Sequence, residues 1–409
     1  MSFRTSKPQM SKISQLPYDQ KFEEERYFNY KAHQYYPVQL GQTFASRYRV
    51  IAKLGYGTAS TGRSRVVTAS SDNSIRQDIL VTLKVCILGE DGSNELAISH
   101  HIKSFDDGIH PGKHRSRVTL DDFHVRGPHG THHCLVFPAL GRTLAQVRNV
   151  FEDENSTSSY YKGFYTQFYK AWIFFIRQES CILVYISPNN ILVEVDNDML
   201  ANLEEKERLN PSPRKVLDDR VIHLSYTMPM SYKDPVITDF GAAYLGEPGQ
   251  KYRDDVMPGV YRAPEVLAGM EWDSKIDIWS IGVMIWDLFE DGNLFPAYRN
   301  GHLDDELHFA QMIALMGPPP KEFLDRMSET QRIRYWDSSE TPIPSQTLES
   351  REIRLRGRDQ ELLLGLMRKI LCWLPEDRPS AEDLYNDGFI YQFVEYVMEL
   401  EESSQGKQG

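Results

Sequence analysis

Cysteine is scarce, with four in 409 residues, at Cys86, Cys134, Cys181 and Cys372. None forms a CxxC pair, and no histidines cluster with them at zinc spacing. A disulfide framework and a zinc site are therefore not indicated, and the thiols read as small buried hydrophobes in a reducing compartment. No run of ~18 apolar residues occurs, so no membrane-spanning helix is expected. The first residues are polar and include Pro8 and Pro17, which argues against a secretory signal. Positive charge is in deficit: 46 Lys and Arg against 58 Asp and Glu give a net charge of −12. That balance argues against direct nucleic-acid binding and permits a basic protein partner, although it also serves plain solubility. A cytoplasmic or nuclear location follows, and a monomer is expected.

What is present divides into two parts. Residues 1–35 lack periodicity and read as a flexible arm. Tyr48 to Leu54 is a strand by its aromatic and β-branched content, and it enters a glycine turn, Gly55-Tyr56-Gly57-Thr58-Ala59-Ser60. Strands follow near Arg63–Thr68 and Ile79–Ile87, then a helix over Asn94–Ile102, then strands near Val118–Phe123 and His133–Phe137. These make a first unit over 36–140. The second unit, 141–399, is mainly helical. Tyr161–Ile176 is aromatic and long enough for a buried helix. Ile276–Phe289 is apolar nearly all round, as a helix at the centre of a core must be. Leu303–Met316 and Asp359–Trp373 are further helices, and Ser380-Ala381-Glu382-Asp383 opens another with a capping box. Residues 194–235, charge-rich and punctuated by Pro211, Pro213 and Pro229, read as an insert looping out, with a short helix over Met199–Leu209. Residues 400–409 form a polar tail, and no internal repeat is seen.

Several residues point to phosphate chemistry. Gly55-x-Gly57-x-x-Ser60 follows a strand, and glycines there let backbone N–H groups approach phosphate oxygens; a plain tight turn has the same pattern. Lys84 lies in an apolar strand, where an unpaired cation is costly, and Glu95 on the next helix is its natural partner. Together they would hold α- and β-phosphates, whereas an edge-strand lysine would face water. Asp239-Phe240-Gly241 follows the strand Val236-Ile237-Thr238, a good position for a magnesium ligand, with Asn190 as the second; turns also use Asp and Gly freely. Glu265, in Ala263-Pro264-Glu265, and Arg378 would form a structural ion pair. Asp277, near the start of the apolar helix, would accept backbone hydrogen bonds from the loop around residue 185, or act only as a helix N-terminal charge. Each motif alone is ordinary, but their order along the chain is not.

In that order the chain resembles a eukaryotic protein kinase, and more narrowly the SR-protein-kinase (SRPK) family in its fungal SRPK-like branch. The narrower resemblance rests on Tyr36-Pro37-Val38-Gln39-Leu40-Gly41, Leu54-Gly55-Tyr56-Gly57-Thr58-Ala59-Ser60-Thr61 and Gly127-Pro128-His129-Gly130-Thr131-His132. Asn210-Pro211-Ser212-Pro213-Arg214-Lys215, Val260 to Leu267 and Ile313 to Pro319 reinforce it. The resemblance implies an α+β, two-lobed protein-kinase fold, with a small β-rich N-lobe carrying one main helix and a large helical C-lobe. It implies ATP and Mg²⁺ as cofactors and phosphorylation of serines in Arg/Ser-rich proteins. Leu54, Gly55, Gly57, Ser60 and Lys84 would contact the nucleotide, and Phe137 would gate the back of its pocket. Pro138 to Leu140 would be the hinge, offering the Pro138 carbonyl and the Leu140 N–H to adenine.

The departures fall in one loop, Leu183-Val184-Tyr185-Ile186-Ser187-Pro188-Asn189-Asn190. The family pattern would place a catalytic Asp at Tyr185 and a Lys at Ser187. No carboxylate occurs between Cys181 and Val193. A tyrosine hydroxyl ordinarily ionises near ~10 and is a poor base at neutral pH. Loss of a positioned base slows transfer ~10²–10⁴-fold. The segment from Ala242 to Val260 also contains no Ser or Thr, so the usual phosphorylation switch is absent. Three readings stay open: a pseudokinase scaffold that binds ATP–Mg²⁺ and a basic partner; an active serine/threonine kinase of reduced or unorthodox catalysis; and a nucleotide-independent interaction module, for which Gly62 and Thr82 are the only support.

Overall fold

The computed structural model describes residues 14–27, 29–56, 64–71, 79–105, 113–152, 181–201, 203–231, 233–246, 249–290 and 292–392. Gly57, Ser60, Gly62, the expected helix over Tyr161–Ile176 and the polar tail lie outside the described residues. The chain forms two compact units. The first comprises Met1–Phe105, Ser116–Arg142 and Leu192–Ala242; the second comprises Asp106–Arg115, Thr143–Ile191 and Ala243–Gly409.

The first unit is built on an antiparallel sheet. Its strands are β1 (Thr43–Phe44), β2 (Tyr48–Tyr56), β3 (Ser64–Ser71), β4 (Ile79–Cys86), β5 (Asp121–Arg126) and β6 (Thr131–Pro138), in spatial order β1-β2-β3-β4-β6-β5. Strand side chains alternate between faces, and β4 uses the alternation fully. Val81, Leu83 and Val85 join Val50, Cys134 and Val136 in one buried cluster. Thr82 and Lys84 therefore face the other side. Register pairs Thr82 with Phe137 and Lys84 with Leu135, and directly paired residues share a face. One helix, α1 (Ser93–Ser104), lies over that second face. Its Gly92 N-cap meets β6 so closely that a Cβ there would come 2.5 Å from the Leu135 side chain.

The insert is not a loop thrown out of the helical unit, as its composition suggested. It belongs to the first unit and packs on β2. The single expected helix is two, Asn197–Ala201 and Leu203–Leu209. Leu203 is buried against Ile51 and Ala52, and Arg49 makes two bonds to Glu204, of 2.6 and 3.0 Å. A hairpin follows, Arg214–Val216 with Val221–His223. The backbone bond from Glu194 N–H to the Asp234 carbonyl, 2.9 Å, closes the base of the insert.

Residues 14–35 depart further from expectation. They carry two short 3₁₀ turns, Glu23–Arg26 and Ala32–Gln34, and are fastened to the insert hairpin rather than free. Leu16 N–H donates to the Arg214 carbonyl at 2.9 Å, and Arg214 N–H returns a bond to Ser14 at 3.0 Å. Lys215 reaches the Gln20 carbonyl at 2.8 Å and both Glu25 oxygens at 3.0 and 3.1 Å. Lys53 of β2, with its side chain 3% exposed, bonds Glu24 at 2.5 Å, with Glu24 fully buried. It also donates to the His223 carbonyl at 3.1 Å. A polar composition gives a flexible chain only when its charges stay solvated; here they are buried in pairs.

The second unit is helical. Its described helices include α2 (Leu144–Glu152), α3 (Lys275–Phe289), α4 (Asp305–Met316) and α5 (Arg358–Ile370). Buried residues surround α3 on all sides, as its sequence demands. Gly282 lets Ile370 of α5 come into direct contact with its backbone, where a Cβ would collide. Trp279 stacks on Phe295 at 5.8 Å, with the rings nearly parallel. Arg378 grips Glu265 with two bonds of 2.7 and 2.6 Å, both side chains wholly buried. Its guanidinium lies 5.1 Å over the Trp279 ring.

Candidate functional site

Lys84 is the pivot of the first unit's site. Its strand position aims it toward α1, and its ammonium bonds Glu95 and Asp239 at 2.7 Å each. Burial alone would favour the neutral amine, but the carboxylates of Asp239 and Glu95 reverse that and hold Lys84 as a cation, its pKa raised. Burial pushes Glu95 up, against the pull of Lys84, and the negative charge of Asp239 pushes it the same way. Two carboxylates thus share one cation. The Asp239 side chain remains 24% exposed, and its backbone is left-handed, φ 65°. That turn delivers Phe240 into the interior, 2% exposed. Asn94 Nδ2 secures the following carbonyl, Gly241, at 2.9 Å. Among the described residues no group of three or more His, Cys, Asp or Glu could cage a metal ion. A dication here would complete its shell with phosphate oxygens, as Mg²⁺ commonly does.

The expected hinge, Pro138 to Leu140, begins at the end of β6. Phe137 is buried, Pro138 ends β6, and Leu140 is buried two residues later. Gly55 lies at the end of β2, and Leu54 is half-buried beside it. One residue that sequence reasoning missed stands here. Arg117 donates from Nε and Nη2 to the Pro138 carbonyl at 3.0 and 2.7 Å. Its guanidinium lies 5.1 Å over the Phe137 ring, and its own N–H is fixed to the Ile237 carbonyl at 2.8 Å. Burial pushes Arg117 down to about 10, while Glu95 and Asp239 pull the other way. Nothing in Ser116-Arg117-Val118 announces this reach; an arginine beside a strand ordinarily points to water.

The expected catalytic loop, Leu183 to Asn190, belongs to the second unit. Asp277, at the start of α3, accepts from Leu183 N–H at 2.8 Å and Val184 N–H at 2.9 Å. Those bonds hold Val184 at φ 52°, a conformation that a β-branched residue adopts only under constraint. Burial raises Asp277 to about 7, and the two backbone donors pull it partly back. Asn190 donates from Nδ2 to the Tyr185 carbonyl at 2.9 Å and from its backbone N–H to Ser187 at 3.0 Å. Ser187 is buried, Tyr185 half-buried. The frame of the loop is therefore built, with Tyr185 and Ser187 in the places where a carboxylate and an ammonium were sought.

The acidic run Asp304-Asp305-Glu306 is occupied internally. Asp304 caps α4 through Leu307 N–H at 2.9 Å. Asp305 pairs with Arg262 at 3.2 Å, and Glu306 with Arg334 at 3.2 Å.

Comparison with known proteins gives a consistent picture. The protein kinase domain model matches residues 228–390. A serine/threonine protein kinase of Aspergillus fumigatus is 33% identical over 383 residues, covering 90% of this chain and 91% of that protein. The serine/threonine-protein kinase SRPK of Physarum polycephalum is 23% identical over 389 residues, 88% of this chain and 90% of that one. The mouse dual specificity protein kinase CLK1 is 24% identical over 377 residues, 88% and 69% respectively. A crystallised kinase domain superimposes with a TM-score of 0.62 at 20% identity, covering 87% of this chain and 99% of its own.

Proposed function

The chain belongs to the serine/threonine protein kinase family, in the group that includes its SRPK and CLK relatives, and we propose that it keeps the family's grip on a magnesium nucleotide while transferring phosphate poorly. It acts, in this reading, as an ATP–Mg²⁺-binding pseudokinase scaffold for basic, Arg/Ser-rich partners. The observation that carries the reading is a contrast. Lys84, Glu95 and Asp239 are joined by 2.7 Å bonds, whereas the loop ordered by Asp277 offers Tyr185 and Ser187.

Lys84 would neutralise phosphate charge, with Glu95 fixing its direction. Asp239 would hold the magnesium, and one surplus carboxylate beside Lys84 suits a dication. Bound magnesium neutralises charge on the phosphates and fixes their orientation. What the loop between Cys181 and Val193 then lacks is a carboxylate to orient a serine hydroxyl and take its proton. The net charge of −12 favours a basic partner.

A second reading, a slow but genuine kinase, is favoured by the intact lysine cluster, because positioning and charge stabilisation supply most of phosphoryl transfer. One experiment separates the two. The full chain is melted with and without Mg²⁺–ATP, then incubated with an arginine–serine peptide and labelled ATP. Stabilisation with transfer at background is expected. Tyr185→Asp combined with Ser187→Lys should then raise transfer by about 10²-fold, the worth of a positioned base. Transfer well above background in the natural chain, lost in Lys84→Ala, would reject the pseudokinase in favour of the slow kinase. No stabilisation by nucleotide would reject both.

A further inference from the structure

The hinge carbonyl that should select adenine is already occupied. A purine is told apart at C6: adenine presents an amino donor there, whereas hypoxanthine and guanine present an oxo acceptor. A backbone carbonyl recognises the first and repels the second. In this chain the Pro138 carbonyl accepts two bonds from Arg117, at 3.0 and 2.7 Å. A carbonyl oxygen has two lone pairs, so that acceptor is saturated. Pro138 itself carries no N–H.

The position of the guanidinium matters as much as its bonds. Phe137 is paired with Thr82 and therefore shares the face of β4 that carries Lys84. Arg117 stacks over Phe137 at 5.1 Å, so it too stands on that face, the one with the phosphate-anchoring cluster. A guanidinium has five N–H donors. Two are used on Pro138, and the remaining three have no hydrogen-bond partner in the first unit's described residues. Thr82, 1% exposed, adds a hydroxyl that likewise has no partner. Strand spacing puts it ~7 Å from Lys84 along β4, about one nucleoside from the phosphates. The spare guanidinium donors on this half-buried side chain are open to a ligand, and a 6-oxo group would accept from them. The Thr82 hydroxyl can donate or accept and so favours neither base, whereas an adenine amino group would meet the guanidinium's donors and a filled carbonyl.

We propose that Arg117 sets the base preference of the nucleotide site, turning it from a 6-amino purine toward a 6-oxo purine, so that ITP and GTP bind at least as tightly as ATP. The proposal rests on the nucleotide-binding reading above and concerns only which base that site takes.

The test is calorimetric titration of the full chain, in Mg²⁺, with ATP, ITP and GTP. ITP is the informative probe because it shares the adenine nucleotide's shape and differs in its C6 substituent and N1 proton. The expected result is a Kd for ITP and for GTP equal to or below that for ATP. Arg117→Leu should move the ITP-to-ATP ratio of Kd values about tenfold or more toward ATP, the worth of one hydrogen bond from a charged group. Arg117→Lys keeps a cation in place but loses the fork, and should move the ratio the same way. If neither variant folds, the natural chain's ratio decides alone. ATP binding tighter than ITP overturns the proposal and leaves the nucleotide-binding reading standing. No binding of any of the three overturns both.

Discussion

Replacing Glu24 by Ala should unfasten the amino-terminal segment from β2. Lys53 is 3% exposed in its side chain, with Glu24 wholly buried at 2.5 Å. Breaking a buried pair from one side usually costs about 3–5 kcal/mol, because the remaining charge is left without compensation. Lys53 keeps some company, however: Glu23 lies 3.3 Å away and the His223 carbonyl 3.1 Å. The loss should therefore fall near the lower end, about 3 kcal/mol. For a cooperative unit of this size that is a fall in Tm of roughly 6–12 °C. Urea denaturation followed by thermal melting measures both figures, and hydrogen exchange over residues 14–35 should quicken in the variant. Glu24→Leu combined with Lys53→Met replaces the pair by apolar groups of similar size and should recover all but about 1 kcal/mol. The reasoning fails if Glu24→Ala lies within about 0.5 kcal/mol of the natural chain, since the pair would then contribute no more than an exposed one.

Two further outcomes follow from the second unit. Glu265→Ala leaves Arg378 buried without its carboxylate, both groups being 0% exposed, and should cost about 3–5 kcal/mol in denaturant titration; a loss under 1 kcal/mol would mean that the pair is solvated in solution. Asp277 has its pKa raised by burial from 3.8 to about 7, so the folded state holds a proton there that the unfolded chain has released. Its contribution to stability is complete below pH ~4 and lost as pH rises to ~7, by at most about 4 kcal/mol. Denaturation of the natural chain and of Asp277→Asn across that window should differ in slope, and identical slopes would exclude Asp277 as the titrating group.

The residues nearest the chemistry were the easiest to read. A lysine inside an apolar strand needs a carboxylate, and Lys84 with Glu95 is the result. The all-apolar face of Ile276–Phe289 dictated a central helix, and the buried Glu265–Arg378 pair required both residues at widely separated positions to be noticed together. The arm and the insert were misjudged for a common reason. Their order comes from charges paired across almost two hundred residues, such as Lys215 with Glu25, and no local periodicity records such a pairing. Arg117 was invisible likewise: its role depends on the register that brings Phe137 beside Thr82, which spacing along the chain does not reveal.

The fastening of residues 14–35 to the hairpin at Arg214–His223 has a bearing on biosynthesis. Ser225 bonds Glu23 across 202 positions, so the contacts that fasten this stretch to the insert cannot form until those positions have been made. At ordinary elongation speeds that delay is roughly 10–40 s. During it, Lys53 has Glu24 at hand but not the His223 carbonyl, and Ile51 and Ala52 of β2 await Leu203. A transcript truncated shortly before the insert would keep every strand of that sheet but leave Ile51 and Ala52 without their cover.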